Sequence, residues 1–224
     1  MKASRSCFAC QRIDSPYYSV LAAHLVGPAG RVAAVEPPPN FHQMLTANAR
    51  ANGCDNVRAV NAAASDVPGR LVFYLERSTN LGGTTAVRPH TVESSFEADA
   101  APLPQLTEEE LAAARLIKID LEGAEAAAVS GLVPILPRLR GDAELVIEVT
   151  PRLLAKQGRT VDDVLRPLRE HGFHTYRLAN DYNASSYPAA LRRPAPAARW
   201  REPVTAMTDL VLSRTDGEIL PPGR

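Results

Sequence analysis

The chain of 224 residues carries 25 basic and 25 acidic side chains, with 45% hydrophobic and 22% charged residues. A chain of this length buries roughly 70% of its unfolded surface, enough for one compact core, and so ordinary a composition excludes a disordered or fibrous class. The cancelling charges exclude a global field that would draw it to nucleic acid or an anionic membrane, and no apolar run approaches the roughly 20 residues of a membrane-spanning helix.

The N-terminal stretch MKASRSCFACQRIDS has no apolar core of the signal-peptide kind, so a cytoplasmic location is expected. Cys7 and Cys10 form a C-x2-C pair, but no second pair or neighbouring His pair completes a tetrahedral zinc site, and no metal is expected. Cys54, beside Gly53, reads as a helix-end residue.

Short apolar runs alternate with helical patterns along the chain, which is the signature of βαβ units and a mostly parallel sheet. Residues 31–36 (RVAAVE) form a strand between Gly30 and a triple proline. Residues 40–52 then place Phe41, Met44, Leu45 and Asn48 at helical spacing, with Asn40 as N-cap and Gly53 as stop. Residues 57–62 supply the next strand, and residues 69–76 one that alternates like a hairpin or edge strand. Residues 78–105 show no clear periodicity and read as a long loop, the kind that is usually functional or mobile.

Thr107 with Glu108, Glu109 and Glu110 opens a short helix. Residues 116–121 are a strand, the helix after Gly123 ends by Pro134 or Pro137, and residues 144–149 are a further strand. Residues 161–171 are helical with Gly172 closing the helix, and residues 173–178 and 209–213 complete the strands. Residues 188–203 read as a connecting loop. The domain organisation follows as an atypical segment over 1–16, one domain over 17–215 and a loose tail over 216–224.

In open doubly wound sheets the ligand sits outside the carboxyl ends of the strands. Three strands end in carboxylates: Glu36 after the first, Asp120 and Glu122 after residues 117–119, and Glu148 after residues 145–147. Glu36 suits two hydrogen bonds from a ribose, and Asn61, Ala63, Ala64, Ser65 and Asp66 follow the next strand, where an adenine would then lie. In LIKIDLE the charged residues alternate with apolar ones, so Lys118 and Asp120 share a sheet face. A central parallel strand is normally apolar on both faces, so these charges call for a partner or a ligand. Asp120 would orient a substrate hydroxyl or act as general base; Lys118 would pair with it or hold an anionic substrate group. Glu122 and Glu148 are candidates for the substrate pocket, Glu148 reading equally as a strand-end charge. The five histidines fall on unrelated segments, and there is no G-x-S-x-G elbow, Walker loop or G-x-G-x-x-G fingerprint.

These residues resemble the FkbM-type methyltransferases, which use S-adenosylmethionine (SAM). The matching blocks are YYSVLAA from Tyr17, VAAVEP from Val32, VNAAASD from Val60, LIKIDLEGAE from Leu116 and TDLVL from Thr208, with IKIDLEGAE the most specific. The resemblance implies a class I, Rossmann-like α/β fold, doubly wound and mostly parallel with an antiparallel C-terminal strand, seven-stranded in the family. It also implies SAM as methyl donor and transfer to an oxygen of a sugar, polyketide or similar metabolite. On that resemblance Glu36 holds the ribose, residues 61–66 border the adenine, Asp120 lines the methyl-transfer site, and Asp14 and Ser19 are further cofactor-binding residues. Residues 8–16 depart from the pattern, with Arg12 and Pro16 about where the family has glycines. Because the match resumes abruptly at Tyr17, a replaced first strand, through a start-site or frame error, accounts for the departure better than decay of the site, and impaired activity is expected.

Overall fold

The computed structural model describes residues 6–10, 17–75, 84–178, 185, 187–192 and 195–220. Asp14, Arg12 and Pro16, and the tail residues 221–224, lie outside them.

Ser6–Cys10 (β1) is followed by helix Tyr17–Val26 (α1), strand Arg31–Val35 (β2), helix Pro39–Ala51 (α2) and strand Val57–Val60 (β3). These three strands are parallel, with β1 lying between β2 and Ala114–Ile119 (β7). Residues 6–10, within the segment set apart in the sequence, therefore form a central strand. Beyond β7 come Glu144–Val149 (β8, parallel), Thr208–Ser213 (β11, antiparallel) and His174–Arg177 (β9). The seven-strand order β3-β2-β1-β7-β8-β11-β9 is extended by Ala197–Arg199 (β10) and Ile219–Leu220 (β12) into a nine-stranded sheet.

Side-chain alternation along the strands divides the apolar residues between the two faces. Ala33, Val35, Ile117, Ile119, Leu145 and Ile147 pack with helices Leu103–Ala113 (α3), Glu125–Leu132 (α4) and Val161–Glu170 (α6) in the main core. Val32 and Leu116 turn the other way, towards Ala22 and Ala23 of α1 and Ala49 of α2. Burial on both faces is why β2, four of whose five residues are buried, reads as a near-continuous apolar run.

A second, three-stranded sheet joins Ala63–Ala64 (β4), Gly69–Leu75 (β5) and Ser94–Ala101 (β6). β6 falls within the stretch expected to be a loop. Its outward Glu97 and Asp99 face Arg70, whereas Phe96, Ala98 and Ala100 point inward, Phe96 stacking on Phe73 at 5.3 Å. The period of two is present, muted by the acids and small alanines.

Other expectations are corrected at element ends. Asn40 does not cap α2: the helix starts at Pro39, after Pro38, without a side-chain cap. Gly53 does close it, at φ 64°. α3 begins at Leu103 rather than at Thr107, which instead sits at a kink (φ −152°, ψ 38°) and donates its hydroxyl to the Leu103 carbonyl at 3.0 Å. The helix after Gly123 runs into a 3-10 helix, Val133–Arg138, at the expected prolines. Helices Pro151–Lys156 (α5) and Tyr187–Arg192 (α7) were not anticipated, and α7 and β10 occupy the supposed connecting loop. β12, within the supposed tail, is held by β10.

Candidate active site

Lys118 and Asp120 project from the α1 side of β7. Lys118 Nζ donates to Asp120 Oδ2 at 2.5 Å and lies 4.6 Å from the centre of the Tyr18 ring. Asp120 is 3% exposed, and its Oδ1 has no hydrogen-bond partner among the described residues. The charges that looked anomalous on a central strand are thus partners, with one carboxylate oxygen left over.

The backbone then turns sharply. Glu122 has φ 49° and Gly123 φ 109°, so two successive residues are left-handed, a conformation that a non-glycine residue adopts only when its surroundings enforce it. Three side chains do so. Glu125 Oε1 accepts from the Leu121 and Gly123 N–H groups at 3.2 and 3.0 Å, Thr85 Oγ1 donates to the Glu122 carbonyl at 2.6 Å, and Gln157 Nε2 donates to the Gly123 carbonyl at 2.7 Å. A side chain at Gly123 would meet Val87 at 2.9 Å, so only glycine fits. Burial pushes the Glu125 carboxyl up to about 7, against the lowering effect of those backbone N–H groups and helped by the nearby Asp120 charge.

Strand register brings the acids together. Ile119 lies beside Ile147, so one residue further along Asp120 lies beside Glu148, which is 4% exposed and pairs across β11 with Asp209. Glu122 joins them: one carboxylate oxygen from each of Asp120, Glu122 and Glu148 lies within 4.8 Å of the others.

Glu36 ends β2 on the same sheet face as Val32 and is 2% exposed, its backbone N–H bonded to the Val60 carbonyl at 2.9 Å. With β1 intervening, Glu36 and Asp120 stand about two strand spacings, roughly 10 Å, apart. Ser19 is fully buried in the first turn of α1. Asn61 serves Glu36 indirectly, its Nδ2 donating to the Glu36 and Pro37 carbonyls at 2.8 Å each. Ala63 and Ala64 are not open to a base through their side chains, which are 2% and 3% exposed and packed into two different cores. Ser65 Oγ donates to Asp66 Oδ1 at 3.2 Å, and the Ser65 carbonyl lies against Gly131 of α4 so closely that a Cβ there would come within 2.1 Å of it.

Thr85, Gly131, Gln157 and Asp209 went unrecognised in the sequence. A glycine inside a helix, where it is unfavourable by roughly 0.5–1 kcal/mol, was a readable sign of close backbone approach. The other three gave no sign, because their roles arise from tertiary neighbours.

The methyltransferase FkbM domain profile matches residues 6–175 of the chain. The chain belongs to the FkbM methyltransferase domain family. The match includes β1 and the departing segment after it. No curated protein matches the chain. Among solved structures, a precorrin-6y C5,15-methyltransferase from Geobacter metallireducens shares the fold at TM-score 0.50 and 12% identity, over 96% of this chain and 82% of the other. A methyltransferase FkbM from Methylobacillus flagellatus aligns at TM-score 0.48 and 17% identity, over 94% of this FkbM chain and 44% of its own length. A SAM-dependent O-methyltransferase from Thermotoga maritima aligns at 0.45 and 12%, over 96% and 62%. The present FkbM domain therefore spans less than half of the Methylobacillus chain. Among its described residues no helix is long and apolar enough to cross a membrane.

Proposed function

We propose that this FkbM domain transfers the methyl group of SAM to a hydroxyl of a sugar, polyketide or similar small metabolite, in the cytoplasm. The observation that carries the reading is the placement of two buried carboxylates, Glu36 and Asp120, on one face of the sheet at the carboxyl ends of β2 and β7. An ionised carboxylate only accepts hydrogen bonds, so Glu36 matches the paired hydroxyls of a ribose, and the donor chemistry of the site fits SAM.

When bound, SAM supplies a methyl group already activated for in-line displacement, so orientation of the acceptor provides much of the rate. Lys118 fixes Asp120 through Oδ2 and leaves Oδ1 for a hydroxyl donor. Asp120 would orient that hydroxyl and take its proton as the oxygen attacks. The turn at Glu122 and Gly123, held by Glu125, brings a Glu122 carboxylate oxygen within 4.8 Å of one from each of Asp120 and Glu148.

The test is release of S-adenosylhomocysteine from SAM across a panel of hydroxylated metabolites. Turnover should fall at least about 100-fold in Asp120→Asn, as expected when a positioned base is removed. Undiminished turnover in that variant would overturn the role of Asp120. A second reading, an inert SAM-binding relative, draws on Arg12 and Pro16 standing where the family pattern has glycines. It would show as saturable binding of SAM without turnover of any acceptor.

A further inference from the structure

At the far edge of the nine-stranded sheet, a cavity of about 320 Å³ is bordered by α6, the start of β9 and the end of β10. Leu165, Phe173 and Trp200 give it an apolar wall, whereas Arg169, Arg199 and Arg201 bring positive charge to it. Among the described residues Glu202 is the only acid that lines it. The carboxylates paired with the arginines stand outside the cavity, each more than half exposed: Asp162 on Arg169, Asp216 on Arg199 at 2.6 Å, and Glu218 on Arg201 at 2.6 and 2.9 Å. Such exposed pairs are weak, and each takes only one or two of the five N–H donors that a guanidinium carries, so donors remain for a ligand. Trp200 adds two further features. Arg177 stacks 4.8 Å from its ring centre, and its indole N–H is buried without a hydrogen-bond acceptor among the described residues, which is uncommon for a buried polar group.

We propose that this cavity binds a small phosphate monoester that carries an apolar ring. The planar fork of arginine matches phosphate oxygens, and three such forks suit a dianion better than a singly charged carboxylate. The ring would lie against Leu165, Phe173 and Trp200, in a volume at the lower end of the roughly 300–1,000 Å³ of small-ligand pockets. The site is separate from the buried carboxylates Glu36 and Asp120. β9 runs parallel to β7 and begins at the cavity with His174, so the cavity lies at the opposite end of the sheet from Asp120. It is also three strands away, a separation of roughly 20 Å in all. Arg199, Trp200 and Arg201, on β10 and just after it, fall outside residues 6–175 of the family match. A ligand here would tie α6 to β10 through Arg169 and Arg201 rather than take part in methyl transfer, so the proposal does not rest on that reading.

Calorimetric titration of the full chain with phenyl phosphate tests it. One saturable site is expected, with inorganic phosphate, which lacks the ring, binding at least about 10-fold more weakly and benzyl alcohol, which lacks the charge, not binding. Arg169→Gln and Arg201→Gln, both at exposed side chains, should each weaken phenyl phosphate at least about 10-fold, whereas Arg70→Gln, exposed on the second sheet, should bind as the parent does. Saturating SAM and Glu36→Gln should leave the affinity unchanged, which keeps this site distinct from the cofactor site and its failure distinct from failure of the methyl-transfer reading. The proposal would be overturned by absence of saturable binding below about 10 mM, or by no preference for phenyl phosphate over inorganic phosphate or benzyl alcohol. Displacement by SAM, or equal affinity in Arg201→Gln and Arg70→Gln, would overturn it as well.

Discussion

Glu125→Gln separates the acidic turn from the rest of the fold by its pH dependence. Glu125 is 1% exposed, with Oε1 shared by two backbone N–H groups and Oε2 buried without a partner among the described residues. Its carboxyl rises from the ordinary 4.5 to about 7, chiefly through burial. Between those two values the folded chain keeps a proton that the unfolded chain releases. The stabilisation is therefore complete below about pH 4.5 and is lost as pH rises through about 7. At about 1.4 kcal/mol per pH unit, the loss is on the order of 3 kcal/mol. The glutamine amide keeps a carbonyl for both N–H donors and does not titrate. Its unpartnered amide group shifts stability by the same amount at every pH and drops out of the comparison. Urea denaturation followed by circular dichroism at pH 4.5 and pH 8 should show the parent losing about 3 kcal/mol more than Glu125→Gln over that interval. Equal losses in the two proteins would refute the assignment of a raised carboxyl to Glu125.

Gly131→Ala drives a Cβ to within 2.1 Å of the Ser65 carbonyl, a backbone atom that cannot swing aside. It should lower stability by about 1–3 kcal/mol in thermal or urea unfolding and weaken SAM binding by shifting the Ser65 turn, whereas Gly141→Ala, with nothing within 4 Å, should be neutral. Asn61→Ala removes both bonds to the Glu36 and Pro37 carbonyls and should weaken SAM binding about 10-fold by calorimetry. An unchanged dissociation constant would show that Asn61 does not position Glu36.

The parallel sheet was legible because burial on both faces writes itself into sequence as apolar runs: β2 and β8 were found almost to the residue. Lys118 and Asp120 were legible for the opposite reason, as charges where such a strand has none. β6 was missed because its inward residues are alanines and its outward ones acids, a pattern that resembles a polar loop until Phe73 is seen against Phe96. Ala63 and Ala64, expected to border an adenine, have their side chains packed into two cores, because small residues mark close packing as readily as access. The convergence of Asp120, Glu122 and Glu148 was not legible as a set. It depends on β7–β8 register and on a left-handed Glu122 that Thr85, from far earlier in the chain, helps to hold.

The central claim, that Glu36 and its neighbours form a SAM site, is tested most directly by calorimetric titration of the parent chain and Glu36→Gln with SAM. One saturable site is expected in the parent, shared with S-adenosylhomocysteine, and about 10- to 100-fold weaker binding in Glu36→Gln, as loss of hydrogen bonds to a charged group implies. Binding of NAD in place of SAM, or equal SAM affinity in the two proteins, would contradict it.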